Sequence, residues 1–547
     1  MIWRLKLQIC LNLSLFLSLL ITAYPQAAKA VEQVHLRFGF LGQSVAIADL
    51  ETFTTTGEVP ASLQLYRPLL TPEVQQALGK TWQIPASLAE RFLDDLLPSS
   101  DGERVITSLH RVIPEANLTD LRLALINGAK QKHGLTLINL LRQYPGEKLT
   151  VDLGGVLAIA FQVQISALQN KLFSPWIAQD FHPKAEEVMS KATATKIDPS
   201  RTGDWEVRRR SWSFSDPQRQ RTIPVDIYWG RGKNPPANAP LVVISHGFAA
   251  DRHFLDYLAK HLASYGLVVI TIEHPKSNIN WLASIALGNN PEALLPAREF
   301  IDRPLDVSFI LDQLAEINQR RGFWQGKLAT DRVAIIGHSL GGYTALALAG
   351  GELDLAAVRQ FCQTRSPWER SPADWFQCGM EQLPSQNRPL ADARIAQAIV
   401  LNPVTGKLFG QQGLGKITIP TLILTSTNDA ITPSFEHQLK AFQQLNSPRY
   451  LLTAIGGTHL SASDPGHINQ DLAMNPLVPE VIGNAAAPLH EVLKGVTLSF
   501  VQQLTPEAAN YSSFLTSNYI QSHSTSNLSF RLNTSLSLAT TTFMEMF

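Results

Sequence analysis

The sequence predicts an α/β protein, a mainly parallel sheet with helices on both faces, preceded by a small, mostly helical N-terminal domain. Three observations carry this. The runs Leu241 to Ser245, Leu267 to Ile272, Val333 to Ile336, Ala398 to Leu401 and Thr421 to Thr425 are short, mostly apolar and rich in β-branched residues, as strands buried on both faces are. Stretches of helical spacing lie between them, including Asp256 to Ala263 and the series Leu305, Phe309, Ile310, Leu314. Several runs stop at a turn that carries a chemically useful side chain, at the carboxyl end where such sheets place their sites.

The chain is 547 residues long, too long for one ordinary domain. Its beginning, with Arg4 and Lys6, an apolar run from about Leu7 to Ala23 and then Ala28-Lys29-Ala30, predicts a secretory signal over 1–30, cleaved near Ala30. A membrane anchor is the alternative, but the apolar core is short for a span. The mature protein is therefore expected in the periplasm, a lumen or the extracellular space. Two cysteines then remain in an oxidising compartment, Cys362 and Cys378. They predict one disulfide, worth about 3 kcal/mol for a loop of about fifteen residues; two buried thiols are the alternative, and only proximity decides.

From Val31 to about Gly57 alternation predicts a small hairpin, and from Thr71 to Tyr144 the apolar residues return at helical spacing. The N-terminal domain is set at 31–165, with no cluster of ligating or nucleophilic residues at a recognisable spacing. A turn-prone linker with Pro175, Pro183 and Pro199 fills 166–202, and the sheet domain occupies 203–505. The last segment, 506–547, is dominated by Ser, Thr and Asn and predicts a loose tail, with Tyr511 to Tyr519 laid on the body.

Lys plus Arg and Asp plus Glu are both 46, which argues against nucleic acid as the partner. The sequence lacks a His-Glu-x-x-His, a paired Cys-x-x-Cys, a phosphate loop and a dinucleotide fingerprint after the early strands. No metal and no cofactor are expected.

The chemistry concentrates at Gly337-His338-Ser339-Leu340-Gly341, where a strand run ends and an Ala/Leu-rich helix begins. On such a strained corner the residues two places either side of the serine must be nearly free of side chain. Ser339 is the predicted nucleophile. A serine hydroxyl needs a base, and the base an acid that orients it and stabilises its charged form. Asp429, on a loop closed by Pro433, supplies the acid and His459, in Gly456-Gly457-Thr458-His459, the base, in the chain order Ser, Asp, His. The alternative for Asp429 is a helix cap at Thr432 or Ser434. His467 is the second-ranked base, and His274 is expected to be a pocket residue. Two backbone N–H groups should hold the oxyanion, those of Leu340 and Phe248.

The stretch Arg221 to Tyr228, Ser245-His246-Gly247-Phe248, Gly337 to Gly342, Asp429 and Gly457-Thr458-His459 together resemble the α/β-hydrolase superfamily, in the branch of platelet-activating-factor acetylhydrolase and dienelactone hydrolase. The whole chain looks like exported hydrolases of photosynthetic bacteria whose N-terminal domain has no assigned role. The resemblance implies an esterase or lipase acting on a small-molecule or lipid ester, with peripheral membrane contact in reach. The sequence departs from both patterns. The acetylhydrolase pattern places its acid where this chain has Asn402, and dienelactone hydrolases use a cysteine nucleophile. Two insertions flank the elbow, 276–303 and 351–389; each is a lid over an acyl pocket or packs on the N-terminal domain. The competing function is a non-catalytic binding or envelope-scaffold module on the same fold. Acyl chain length, leaving group and oligomeric state are not legible.

Overall fold

A computed structural model describes residues 31–39, 41–132, 134–146, 148–156, 197–231, 239–288, 290, 293–384, 389–467 and 480–545. The expected signal segment and most of the expected linker lie outside these residues. The chain divides into two compact units near residue 159.

In the first unit β1 (Gln33–Phe38) and β2 (Leu41–Ala46) form the expected hairpin, and β3 (Lys148–Asp152) pairs with β1 in parallel. The sequence predicts helices after the hairpin, so this third strand is a correction. The helices are α1 (Ile47–Thr56), α2 (Pro72–Gly79), α3 (Ala86–Leu96), α4 (Ser100–Val112), α5 (Leu118–Ala129) and α6 (Leu137–Gln143). Thr71, Ser99, Asn117 and Thr136 cap four of them, each accepting a backbone N–H that the first turn leaves without a partner. The buried side chains Val34, Leu36, Val45, Ile47, Phe53, Leu63, Tyr66 and Leu149 form one core.

The second unit is organised by a sheet of nine strands among the described residues, in the order β12-β11-β10-β9-β8-β6-β7-β5-β4. In chain order these are β4 (Glu206–Asp216), β5 (Arg221–Arg231), β6 (Leu241–Ser245), β7 (Val268–Ile272), β8 (Val333–His338), β9 (Ile395–Leu401), β10 (Thr421–Ser426), β11 (Arg449–Ile455) and β12 (Ser529–Asn533). Strands β6 to β11 run parallel; β4, β5 and β12 are antiparallel additions at the edges. The central runs are mostly apolar because successive residues feed opposite faces, both buried. Val243 and Ile335 face one core, packed by α9 (Glu299–Gln319) and α10 (Leu340–Leu348), while Val242, Ile244, Ala334 and Ile336 face the other, packed by α7 (Asp256–Ser264) and α14 (Ala487–Val501). Between these helices in sequence stand α8 (Ile279–Ala286), α11 (Leu355–Thr364), α12 (Pro372–Cys378) and α13 (Lys440–Gln444).

The tail expectation is corrected at its centre. Ser529–Asn533 pairs with β11, Leu532 opposite Leu452 and Phe530 opposite Ala454, and Phe530 is fully buried. The segment extends the sheet and covers what would otherwise be an open parallel edge. The end of the expected linker is also docked: His261 faces the Pro199 carbonyl at 3.0 Å and Gly203 N–H donates to Ser264 Oγ at 2.8 Å.

Candidate active site

The strand register sets the site. Ser245 pairs with Gly337, His338 with Leu401, and Ser426 with Ala454, so β6, β8, β9, β10 and β11 end level and release their loops at one rim.

Ser339 stands between β8 and α10 with φ 56° and ψ −117°, a left-handed conformation that few residues with a β-carbon adopt. The two flanking glycines are required by close approach. A Cβ on Gly337 would sit 2.0 Å from the Gly341 carbonyl oxygen, and one on Gly341 would sit 2.0 Å from the Ser245 carbonyl oxygen. The strained corner holds the serine hydroxyl at the rim.

His459 reaches that hydroxyl, its Nε2 lying 3.0 Å from Ser339 Oγ. On its other side Nδ1 lies 2.8 Å from Asp429 Oδ2. The carboxylate fixes the tautomer: Nδ1–H donates to Asp429, leaving the Nε2 lone pair to face the serine O–H. Burial works against the imidazolium, but the charge and hydrogen bond of Asp429 outweigh it and hold the imidazole above its ordinary value.

The alternative role for Asp429, a helix cap, is not seen: the next helical turn begins at Phe435 with no side-chain hydrogen bond at its cap, and Asp429 instead ties its own loop. Its Oδ1 accepts the N–H groups of Ile431 and Thr432 at 2.9 and 2.7 Å, and Thr432 Oγ1 donates to Oδ2 at 2.7 Å. These bonds lock a fully buried carboxylate in the orientation that His459 meets.

The oxyanion candidates lie where the register brings the loop after β6 against the elbow. Gly247 is close enough that a Cβ there would be 3.1 Å from Ser339 Cβ. Leu340 opens α10, so its N–H is one of those that a helix leaves without an internal acceptor. Behind the loop, the fully buried Arg303 donates to the His246 carbonyl and, at 2.9 Å, to Ser277 Oγ. His246 Nε2 accepts the N–H of His274 at 3.0 Å.

Several contributors were given no role by the sequence reading. Asn402, where an acid was expected from the resemblance, has φ 44° and donates from Nδ2 to Ser426 Oγ at 3.1 Å and to the Thr458 carbonyl at 3.3 Å. It props the base loop. His338 donates from Nε2 to the His459 carbonyl at 2.9 Å, and Glu480 accepts the Leu460 N–H at 2.8 Å. Only Asn402 carried a signal, as the polar residue ending a buried strand.

Two competing histidines go elsewhere. His274 is not a pocket residue; it is fully buried, with Nε2 2.9 Å from Ser245 Oγ and Nδ1 3.1 Å from Asp306 Oδ2. Asp306 accepts from Arg221 Nε and Nη2 at 2.9 and 2.7 Å, and Arg221 Nη1 reaches Glu299 at 2.6 Å. This ionic cluster lies under the oxyanion loop, and burial pushes the carboxyls of Glu299 and Asp306 up against the pull of Arg221. His467 stacks on His253 with centroids 5.1 Å apart.

Cys362 and Cys378 are bonded, with Cα atoms 5.7 Å apart, joining α11 to α12 inside the insertion 351–389. That insertion reaches the site: the Phe376 ring lies 4.7 Å from Phe248, and Ala373 N–H donates to the Ile431 carbonyl at 3.1 Å. The start of the other insertion also touches the oxyanion loop, Ser277 accepting the Ala249 N–H at 2.9 Å.

A serine on a strand-to-helix corner of a parallel sheet, facing a histidine backed by a carboxylate, defines the α/β-hydrolase class. The chain belongs to the α/β-hydrolase superfamily. A family model described as alpha/beta hydrolase of unknown function matches residues 30–152, the first unit, and one described as platelet-activating factor acetylhydrolase, isoform II matches residues 220–301. The chain is also similar to cutinase 1 of Thermobifida cellulosilytica, 23% identical over 244 residues, which is 44% of this chain and 67% of that protein.

Proposed function

We propose that this chain is an exported serine hydrolase that cleaves carboxylic esters, with small-molecule or lipid acyl esters as substrates. The observation that carries the reading is His459 lying within hydrogen-bond reach of Ser339 on one nitrogen and Asp429 on the other. Similarity to an acetylhydrolase family and to a cutinase supports an ester rather than another acyl compound.

In this reading Ser339 Oγ attacks the ester carbonyl carbon while its proton passes to His459 Nε2. The carbonyl oxygen takes the negative charge, held by the N–H groups of Leu340 and Phe248. The tetrahedral intermediate collapses, the alcohol leaves with the proton from His459, and an acyl-serine remains. Water then gives His459 a proton and attacks the acyl carbon, releasing the acid and restoring the serine. Asp429 keeps the ring oriented and offsets its charge throughout. The strained, buried setting fits electrostatic preorganisation of the site, which needs no metal to activate the nucleophile.

Export is supported by the basic and apolar segment ending at Ala30 and by a disulfide, which persists in oxidising compartments. The contact between Phe376 and Phe248 supports insertion 351–389 as the wall of the acyl pocket. The test is Ser339→Ala assayed on a p-nitrophenyl acyl ester: the reading expects hydrolysis to fall at least about a thousandfold with the fold retained. Activity surviving in that variant rejects it.

A further inference from the structure

We propose that Asp251, His253 and His467 form a binding site for a divalent transition metal of the zinc class, between the segment after the oxyanion loop and the segment after the base loop. Among the described residues these three side chains form the group whose histidine and carboxylate ligand atoms all lie within 4.8 Å of one another.

The spacing suits one ion. Zinc binds nitrogen and carboxylate oxygen at about 2.0–2.2 Å, so two ligands on a tetrahedral centre stand roughly 3.4 Å apart. Asp251 Oδ2 and His253 Nδ1 are separated by 3.5 Å. The same geometry sets the centroids of two ligating imidazoles roughly 5.2 Å apart. Those of His253 and His467 are 5.1 Å apart, with their planes inclined by 27°.

The donor atom follows from the partner on the far side of the ring. His253 Nε2 lies 2.9 Å from Oδ2 of Asp226, a fully buried carboxylate that Arg252 also approaches at 3.2 Å. Nε2–H therefore donates to Asp226, and Nδ1 is the atom turned toward Asp251. A histidine that offers one nitrogen to a metal and the other to a carboxylate has its ring orientation and tautomer fixed in advance.

The place gives the ion a purpose. Asp464 already ties the two segments, its N–H donating to the Phe254 carbonyl at 2.8 Å and its Oδ2 accepting the Tyr257 N–H at 2.8 Å. A metal held by His467 would extend that clamp three residues beyond Asp464, to an exposed side chain. Three protein ligands leave a fourth position for water. Local motifs in the sequence excluded a metal, but these ligands come from two distant segments and leave no such motif. Nothing in this proposal depends on ester hydrolysis.

The test uses the full-length purified chain, dialysed against a chelator and titrated calorimetrically with zinc chloride, with cobalt(II) chloride titrated in parallel for its visible absorption. The proposal expects one equivalent of zinc bound, cobalt bands of a four- or five-coordinate site, and at least about tenfold weaker binding in His253→Gln and in His467→Gln. His467 is exposed, so its variant should fold even where His253→Gln does not. His35→Gln, at a half-buried position in the first unit, should bind as the parent does. No zinc binding by the parent chain overturns the proposal. So does binding that His467→Gln leaves unchanged, which would make the trio a stacked, ion-paired cluster only.

Discussion

His459 Nδ1 lies 2.8 Å from Asp429 Oδ2, and the carboxylate that makes this contact is held by three donors from its own loop. In the proposed mechanism acid and base are therefore positioned before any substrate arrives. Asp429 raises the proton affinity of His459 against the effect of burial.

The sign of that shift sets a pH dependence. His459 must be neutral to take the serine proton, so kcat/KM should fall as pH drops through its ionisation, with a midpoint above the ordinary histidine value of about 6.5. Asp429→Asn should lower kcat on the order of 10⁴-fold and move the midpoint down. A pH profile of p-nitrophenyl ester hydrolysis for both proteins checks this; a midpoint that stays put in the variant counts against Asp429 as the acid.

The meeting of Ser339, Asp429 and His459 was legible because each of the three sits beside a feature that sequence displays: a Gly-x-Ser-x-Gly corner, a proline-closed loop, a glycine-rich turn, each just after a buried strand. Strand β12 was not, because Ser529–Asn533 is short, polar in its surroundings and stabilised by pairing with β11, far away in sequence. Arg221 and Arg303 gave no warning of burial either. A charged side chain reads as solvated unless its partners are known, and Glu299 and Asp306 lie about a helical turn either side of Arg303, on a helix whose buried face carries charge. Asn402 is the instructive case: a resemblance asked for an acid there, and the amide serves because its neighbours are a hydroxyl and a carbonyl oxygen.

That arrangement makes Asn402→Asp unfavourable. The Nδ2 donor to Ser426 Oγ and the Thr458 carbonyl becomes a carboxylate oxygen, leaving a buried charge against a carbonyl. Stability should fall by about 1–3 kcal/mol or more. Urea unfolding of the variant measures it, and an unchanged midpoint contradicts the placement of this side chain.

The disulfide has a calculable effect. Cys362 and Cys378 are 16 residues apart, which in the chain-entropy model corresponds to about 3 kcal/mol. The double variant Cys362→Ser, Cys378→Ser should unfold at correspondingly lower urea concentration. Its loss should weaken the insertion that bears Phe376 ahead of the sheet, seen as faster amide exchange in 351–384.

The oxyanion loop depends on a buried cation. Arg303→Met removes the donor to the His246 carbonyl and leaves Glu299 and Asp306 with less compensation. The expected loss is about 3–5 kcal/mol, read by thermal or urea unfolding, and a variant as stable as the parent would show that the cluster does not support the loop.

The most direct measurement is covalent capture of the nucleophile. The full-length chain is treated with a fluorophosphonate probe, digested, and its adduct located by mass spectrometry. The expected result is one modified residue, Ser339, with labelling absent in Ser339→Ala and strongly slowed in His459→Ala. No adduct on the parent chain, or an adduct that persists in Ser339→Ala, would contradict the assignment of the nucleophile.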